Sequence, residues 1–240
     1  MMNAPAADQA KWRIRERIWT LLEREHVAPR GVSGHIPDFA GADAAAERVT
    51  GLPAWRRARV VEAAPDRAQL PVRRRALHSG KLLYMAVPML ALELPFYLID
   101  PGELTLSLDQ AASREMAEKT ARLVGLDEMA PVDFAVCGSV AVNRDGARLG
   151  KGSGYSDIEM ALLHDAGLIR QQTIIATTVH DLQVVDEPIP EAEHDFGVDV
   201  IVTPQKVIWC SSPKRPARIY WDNLSSVQVE RIPALKNRRP

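Results

Sequence analysis

Apolar positions recur along this chain first with a helical and then with a strand-like rhythm. From Asp8 to about Val27, Trp12, Ile18, Trp19 and Leu22 project to one side, while Lys11, Arg15, Glu16 and Arg17 project elsewhere. That spacing predicts an amphipathic helix, stopped by Pro29 and Gly31. After the turn-rich link GVSGHIPDF, the alanine-rich stretch Ala42 to Val49 predicts a second helix. Strand-like and helix-like segments then alternate. Arg59 to Ala63 reads as a short strand, Pro71 to His78 as a helix, Lys81 to Val87 as an apolar strand closed by Pro88, and Phe96 to Ile99 as another strand. Leu108 to Val124 reads as one long helix and Phe134 to Val142 as one strand, followed by a helical pattern from about Asp157 to Gly167. Thr173 to Val179, Val198 to Val202 and Val207 to Cys210 are β-branched and predict further strands. The alternation predicts an α/β fold with a mostly parallel sheet covered by helices, and ligands at the carboxyl ends of the strands. From Ser211 onward proline, arginine and lysine accumulate. We therefore expect one α/β domain over residues 1–210 and a basic, surface-wrapping or frayed tail over 211–240.

One segment breaks the apolar rhythm with chemistry. NRDGARLGKGSGYSDIE, Asn143 to Glu159, carries the alternate glycines Gly150, Gly152 and Gly154, with Ser153 between the last two. Glycines reach backbone angles closed to other residues and let main-chain N–H groups approach an anion. Arg148 and Lys151 add a planar fork and a mobile point charge. Lying between a strand and a helix N-terminus, the loop suits phosphate. It is not a Walker A loop, because only three residues separate Gly146 from Gly150-Lys151 where four are needed, and Gly152 follows; nor is it G-x-G-x-x-G, which requires glycine at Tyr155. A structural turn fits the glycines alone equally well.

Composition narrows the classes. Thirty Lys and Arg against 31 Asp and Glu give a net charge of -1, which argues against a dedicated nucleic-acid or membrane-surface protein. Cys137 and Cys210, both in apolar runs, read as reduced buried thiols rather than a disulfide or zinc framework. The N-terminal MMNAPAADQAKWRIRER has no apolar signal region, and no run approaches the roughly 20 apolar residues that cross a bilayer. The expectation is a soluble cytoplasmic protein.

The order of the motifs resembles the 5-formyltetrahydrofolate cyclo-ligase family over most of the chain. Lys11 and Arg15 match its N-terminal K-x-x-x-R helix. Arg148, Gly150, Gly152, Gly154, Tyr155 and Asp157 match its Arg, Gly-rich loop and Gly-Tyr-Tyr-Asp motif. Ile189, Pro190, His194 and Asp195 match I-P-x-x-x-H-D, and Val198, Asp199, Ile201 and Thr203 match V-D-x-I-x-T. Ser156 replaces the second tyrosine. Asp66 stands where a substrate-binding glutamate is common, fourteen residues before Gly80-Lys81. HIPDFAGADAAA and TTVHDLQVVD point to the cyclo-ligase-like paralogue branch.

This resemblance implies a three-layer α/β/α, Rossmann-like fold of the NagB/RpiA/CoA transferase-like type, with ATP and Mg²⁺ as cofactors and a small-molecule partner. It implies γ-phosphoryl transfer to the formyl oxygen of 5-formyltetrahydrofolate, attack by N10, and loss of phosphate to give 5,10-methenyltetrahydrofolate. The nucleotide-binding candidates are Lys11, Arg15, Arg148, Gly150, Lys151, Gly152, Ser153, Gly154 and Asp157. Arg148, Lys151 and Tyr155 are the catalytic candidates, Asp157 the metal ligand, and Asp66, Tyr155 and Ser156 the substrate contacts; His194 and Asp195 support the site. Each also has a plain reading: Lys11 and Arg15 fit a solvated helix face, Asp157 fits a helix cap, and Tyr155 fits a core aromatic. Three rivals remain. One is a paralogue acting on another formylated or heterocyclic compound, linked to thiamin. The second is a metal-dependent phosphohydrolase built on His164-Asp165, His180-Asp181 and His194-Asp195. The third is a non-catalytic nucleotide- or RNA-binding module using Arg56, Arg57, Arg59, Arg73 to Arg75 and the basic tail. Oligomeric state is open.

Overall fold

The computed structural model describes residues 4–236 and 238. Eight strands form the main sheet in the order β11-β10-β8-β5-β1-β2-β3-β4. They are β1 (Val60–Ala63), β2 (Leu82–Ala86), β3 (Phe96–Ile99), β4 (Arg122–Val124), β5 (Val132–Cys137), β8 (Ile169–Thr178), β10 (Val200–Val202) and β11 (Val207–Trp209). The run β10-β8-β5-β1-β2 is parallel, and the edges β11, β3 and β4 pair antiparallel. Helices cover both faces, which is the three-layer α/β/α architecture expected. On one face α2 (Ala42–Thr50), α3 (Pro53–Arg57), α4 (Leu70–His78), α5 (Leu108–Ala111) and α6 (Arg114–Thr120) pack over Val61, Ala63, Phe134 and Val136. On the other, α7 (Tyr155–Asp165) and α9 (Pro233–Lys236) pack over Tyr84, Ala135, Cys137 and Ile175. Adjacent strand residues face opposite layers, so Glu62, between Val61 and Ala63, points toward the α7 side.

A second sheet of three strands, β7 (Arg148–Leu149), β6 (Ala141–Asn143) and β9 (Val184–Val185), carries α1 (Ala4–Arg24) through Ile14, Ile18, Trp19 and Leu22. The expected strand Phe134 to Val142 is therefore two. The chain leaves the main sheet after Cys137, bends at Val140 and enters the small sheet at Ala141. The expected long helix over Leu108 to Val124 is also broken. Ser113 starts a new helix by accepting from the Met116 amide at 3.2 Å, and Arg122–Val124 is an edge strand. Helix α1 ends earlier than expected and presents a different face: Trp12 is 46% exposed, whereas Lys11 is buried.

The basic segment after Ser211 does wrap the surface, but it then returns to the core. Its helices α8 (Ser226–Arg231) and α9 bring Ile232 and Leu235 to complete burial against the α7 layer. Cys137 is buried as expected and Cys210 only partly; neither is in a disulfide. No described helix is long and apolar enough to cross a membrane.

Candidate functional site

The small sheet delivers the glycine loop to the carboxyl end of the main sheet, and α1 lies across it. Docking by Ile14 and Ile18 turns Lys11 inward, where its ammonium pairs with Asp195. Asp195 also accepts from the Ala192 amide at 2.6 Å. Burial alone would raise the Asp195 carboxyl, but the bonds from Lys11 and Ala192 outweigh it and hold the group below its usual range. One turn along α1, Arg15 Nε donates to the Gly150 carbonyl at 2.7 Å. Burial lowers the Arg15 guanidinium's proton affinity, opposed by Asp195 and Asp157. Gly152 and Gly154 adopt φ of 102° and 75°, and a Cβ at Gly152 would sit 3.5 Å from Arg15 Cζ. The left-handed angles, rather than the nearness of Arg15, are what call for glycine at both positions.

Arg148 is the most enclosed cation of the group. Its side chain is 1% exposed, it donates to Asp157 Oδ1 at 2.9 Å, and its guanidinium stacks 3.8 Å from the Phe196 ring centroid. Its Nε is buried with no partner among the described residues. Asp157 lies in the first turn of α7 rather than at the cap, which is Gly154 with no side-chain cap. Burial raises its carboxyl against the pull of Arg148. The α7 N-terminus therefore keeps N–H groups directed at the loop, the arrangement that favours phosphate. Lys151 and Ser153 are exposed, whereas Tyr155 and Ser156 are half-buried, Tyr155 against the α7-side core.

Asp66 stands across the loop, just past the end of β1. Burial raises its carboxyl, and the charges of Lys151 and Arg73 oppose that rise. A Cβ at Gly138 would fall 2.9 Å from Ile36 Cγ2, 3.1 Å from Asp66 Oδ2 and 3.2 Å from Gln69 Oε1, so a larger residue there would crowd all three side chains at the end of β5. Asp66 lines a cleft of about 660 Å³ together with His35, Ile36, Leu70, Arg73 and Arg114. His194 holds the rim: its Nε2 is 3.7 Å from Asp195 Oδ1 and its Nδ1 is 3.2 Å from Asn223 Nδ2. The structure thus gathers Lys11, Arg15, Arg148, Asp157, His194 and Asp195 around the loop, with Lys151 exposed on it.

Beneath the loop lies a pair that the sequence reading missed. Glu62 of β1 and Glu159 of α7 are both buried and close enough to shift each other's titration, and Glu62 Oε1 has no hydrogen-bond partner among the described residues. Burial and the mutual repulsion push Glu62 well up; burial pushes Glu159 up to about 7. The signal was present, since both glutamates interrupt apolar runs, VVEA on a strand and IEMALL on a helix.

The rival chemistries find less support in the geometry. The histidine–aspartate pairs lie apart: His164-Asp165 at the end of α7, Asp181 beside Thr203 and Lys206, and His194-Asp195 at Lys11. Among the described residues no three His, Cys, Asp or Glu side chains come together as metal ligands. Of the candidate RNA-facing arginines, Arg73 is buried and donates to the Ala112 and Asp66 carbonyls at 2.8 and 2.9 Å, while Arg75 pairs with Asp43 and Glu47.

Comparison with known proteins agrees with this arrangement. The family model of the 5-formyltetrahydrofolate cyclo-ligase family matches residues 7–204. Methenyltetrahydrofolate synthase domain-containing protein of Bos taurus is 40% identical over 98% of this chain, and that of Homo sapiens 37% over 99%. The chain spans 63% of the length of each of these relatives. The structure of Aquifex aeolicus 5,10-methenyltetrahydrofolate synthetase superposes with a TM-score of 0.54 at 18% identity, over 91% of this chain and 99% of that one, and shares the fold. With its motifs in order and its fold shared, this chain belongs to the 5-formyltetrahydrofolate cyclo-ligase family.

Proposed function

We propose that the chain is an ATP-dependent cyclo-ligase that closes 5-formyltetrahydrofolate to 5,10-methenyltetrahydrofolate. The observation that carries this reading is the convergence of Lys11, Arg15 and Arg148 on a loop whose Gly152 and Gly154 take left-handed angles ahead of an uncapped helix. Such a cradle fits a triphosphate, and the unpartnered Arg148 Nε is a donor still to be used. ATP would supply phosphoryl activation of the formyl oxygen. The chain's own part is positioning and charge stabilisation. Arg15 fixes the loop, Lys11 is held by Asp195, and Lys151, exposed on the loop, would be free to neutralise a bound phosphate. Asp66, kept protonated more readily by burial, would face the acceptor ring in the cleft as a hydrogen-bond donor. Asp157 is the carboxylate best placed for Mg²⁺, and Arg148 would have to share it.

A second reading, a paralogue closing a different formylated or heterocyclic compound, is favoured by the short Asp66 and the small Ser156 where bulkier groups stand in the family pattern. Titration calorimetry with MgATP separates the nucleotide assignment from the choice of acceptor. Binding by the wild type, weakened at least tenfold in Lys151→Ala, supports the site. Equal binding by both Lys151→Ala and Asp157→Ala removes it.

A further inference from the structure

The family match ends at residue 204, yet the relatives from Bos taurus and Homo sapiens align over 98% and 99% of this chain. The segment beyond it is a strap fastened at both ends. Before the site, Gly197 donates to the Lys214 carbonyl at 2.7 Å, Arg215 pairs with Asp199 at 2.6 Å, and the Ile219 amide reaches Asp165 at 3.3 Å. After it, Ile232 and Leu235 are buried in the core. Between these anchors the chain crosses the first turn of α7. Asn223 lies 3.2 Å from His194, and a Cβ at Gly154 would sit 3.3 Å from Gln228 Nε2. Gln228 Oε1 is engaged by the Ser225 amide at 2.9 Å, which leaves its Nε2 hydrogens as the end directed at the glycine loop. A small cavity of about 60 Å³ remains between strap and helix, lined on its polar side by Gly154, Asp157, His194, Arg218, Asn223 and Gln228 and otherwise by apolar groups such as Ile158 and Leu224, with the exposed Arg218 guanidinium 5.8 Å from the Tyr220 ring centroid.

We propose that residues 218–228 form a third wall of the glycine-loop site, with Arg218 and Gln228 donating to a phosphate group of the nucleotide bound there. The cavity has room for one such group and not for a nucleotide. Its donors are a guanidinium, an amide N–H and the uncapped start of α7, while its one carboxylate, Asp157, is already paired with Arg148. The inference rests on the nucleotide reading of the loop and adds to it residues that lie outside the family model.

The test is calorimetry on the full chain with MgATP and, separately, adenosine, for the wild type, Arg218→Ala, Gln228→Ala and the neighbouring exposed Val227→Ala. Loss of a charge-assisted bond to phosphate is expected to weaken MgATP binding roughly tenfold in each of the first two variants. Adenosine binding, the affinities of Val227→Ala and the melting temperatures of Arg218→Ala and Val227→Ala should stay at wild-type values, and Gln228→Ala should melt slightly lower because it loses the bond from the Ser225 amide. Affinities for MgATP within twofold of wild type in both variants would overturn the third wall while leaving the loop site standing. Equal losses for adenosine would also overturn it, because the strap would then not be reading phosphate. A wild type that binds no MgATP removes the nucleotide reading itself, and this inference with it.

Discussion

Two clusters of charge lie within the same end of the sheet and are built in opposite ways. At the rim every buried charge has a partner of the other sign: Lys11 with Asp195, and Arg148 with Asp157. On the floor, Glu62 meets Glu159, two groups of the same sign in a site closed to water. The rim is held by ion pairs, whereas the floor carries two carboxyls that burial keeps protonated more readily. Opposite pairs resist titration near neutrality, whereas a carboxyl pair must ionise as pH rises through its range. The rim is therefore suited to holding a charged ligand at constant strength, and the floor sets how firmly α7, which starts the loop's far side, sits on β1.

The largest expected effect comes from halving a rim pair. Arg148→Ala strips Asp157, whose side chain is 20% exposed, of its ion-pair partner, with Lys11 and Arg15 acting only from further off, and should destabilise the fold by roughly 3 kcal/mol in denaturant unfolding. A change under about 1 kcal/mol would mean that the pair is not enclosed as described. The floor should show itself through pH. Glu159 titrates near about 7 in the fold and near 4.5 when unfolded, so the native state binds more protons across that window. Its stabilising contribution is complete below the unfolded value and is lost as pH rises through about 7, a decline on the order of 3 kcal/mol. Glu159→Gln should flatten that decline, and an unchanged slope would assign it to other groups. Smaller again is Lys151→Ala. Lys151 is exposed, so stability should move by no more than about 0.5 kcal/mol while MgATP affinity falls at least tenfold. His164→Ala, exposed near the end of α7, should change neither stability nor MgATP affinity beyond error.

Much of this was legible from the chain itself. The parallel core strands announce themselves by β-branched runs, and the glycine loop by composition. Lys11 and Arg15 gained meaning only from the order of motifs; by periodicity Lys11 belongs on a wet face, and burial of Lys11 with exposure of Trp12 is a tertiary outcome. The small sheet escaped notice because β6 and β7 span only Ala141–Asn143 and Arg148–Leu149, too short to show alternation. The helix Leu108 to Val124 was misread because its pattern runs through Ser113, a residue that caps as readily as it continues. The strap reads as a basic tail by composition, and its burial depends on a few apolar residues, Ile219, Ile232 and Leu235, spread among charges. Glu62 and Glu159 come together through strand-to-helix packing, which no local pattern encodes.

The most direct test of the central claim is spectroscopic: formation of 5,10-methenyltetrahydrofolate from 5-formyltetrahydrofolate by the purified full chain, with and without MgATP. Product that requires MgATP, disappears in Lys151→Ala and rises in Ser156→Tyr is the expected result. A folded wild-type chain that binds MgATP yet forms no product, alone or as Ser156→Tyr, would contradict the folate assignment and leave the second reading in its place.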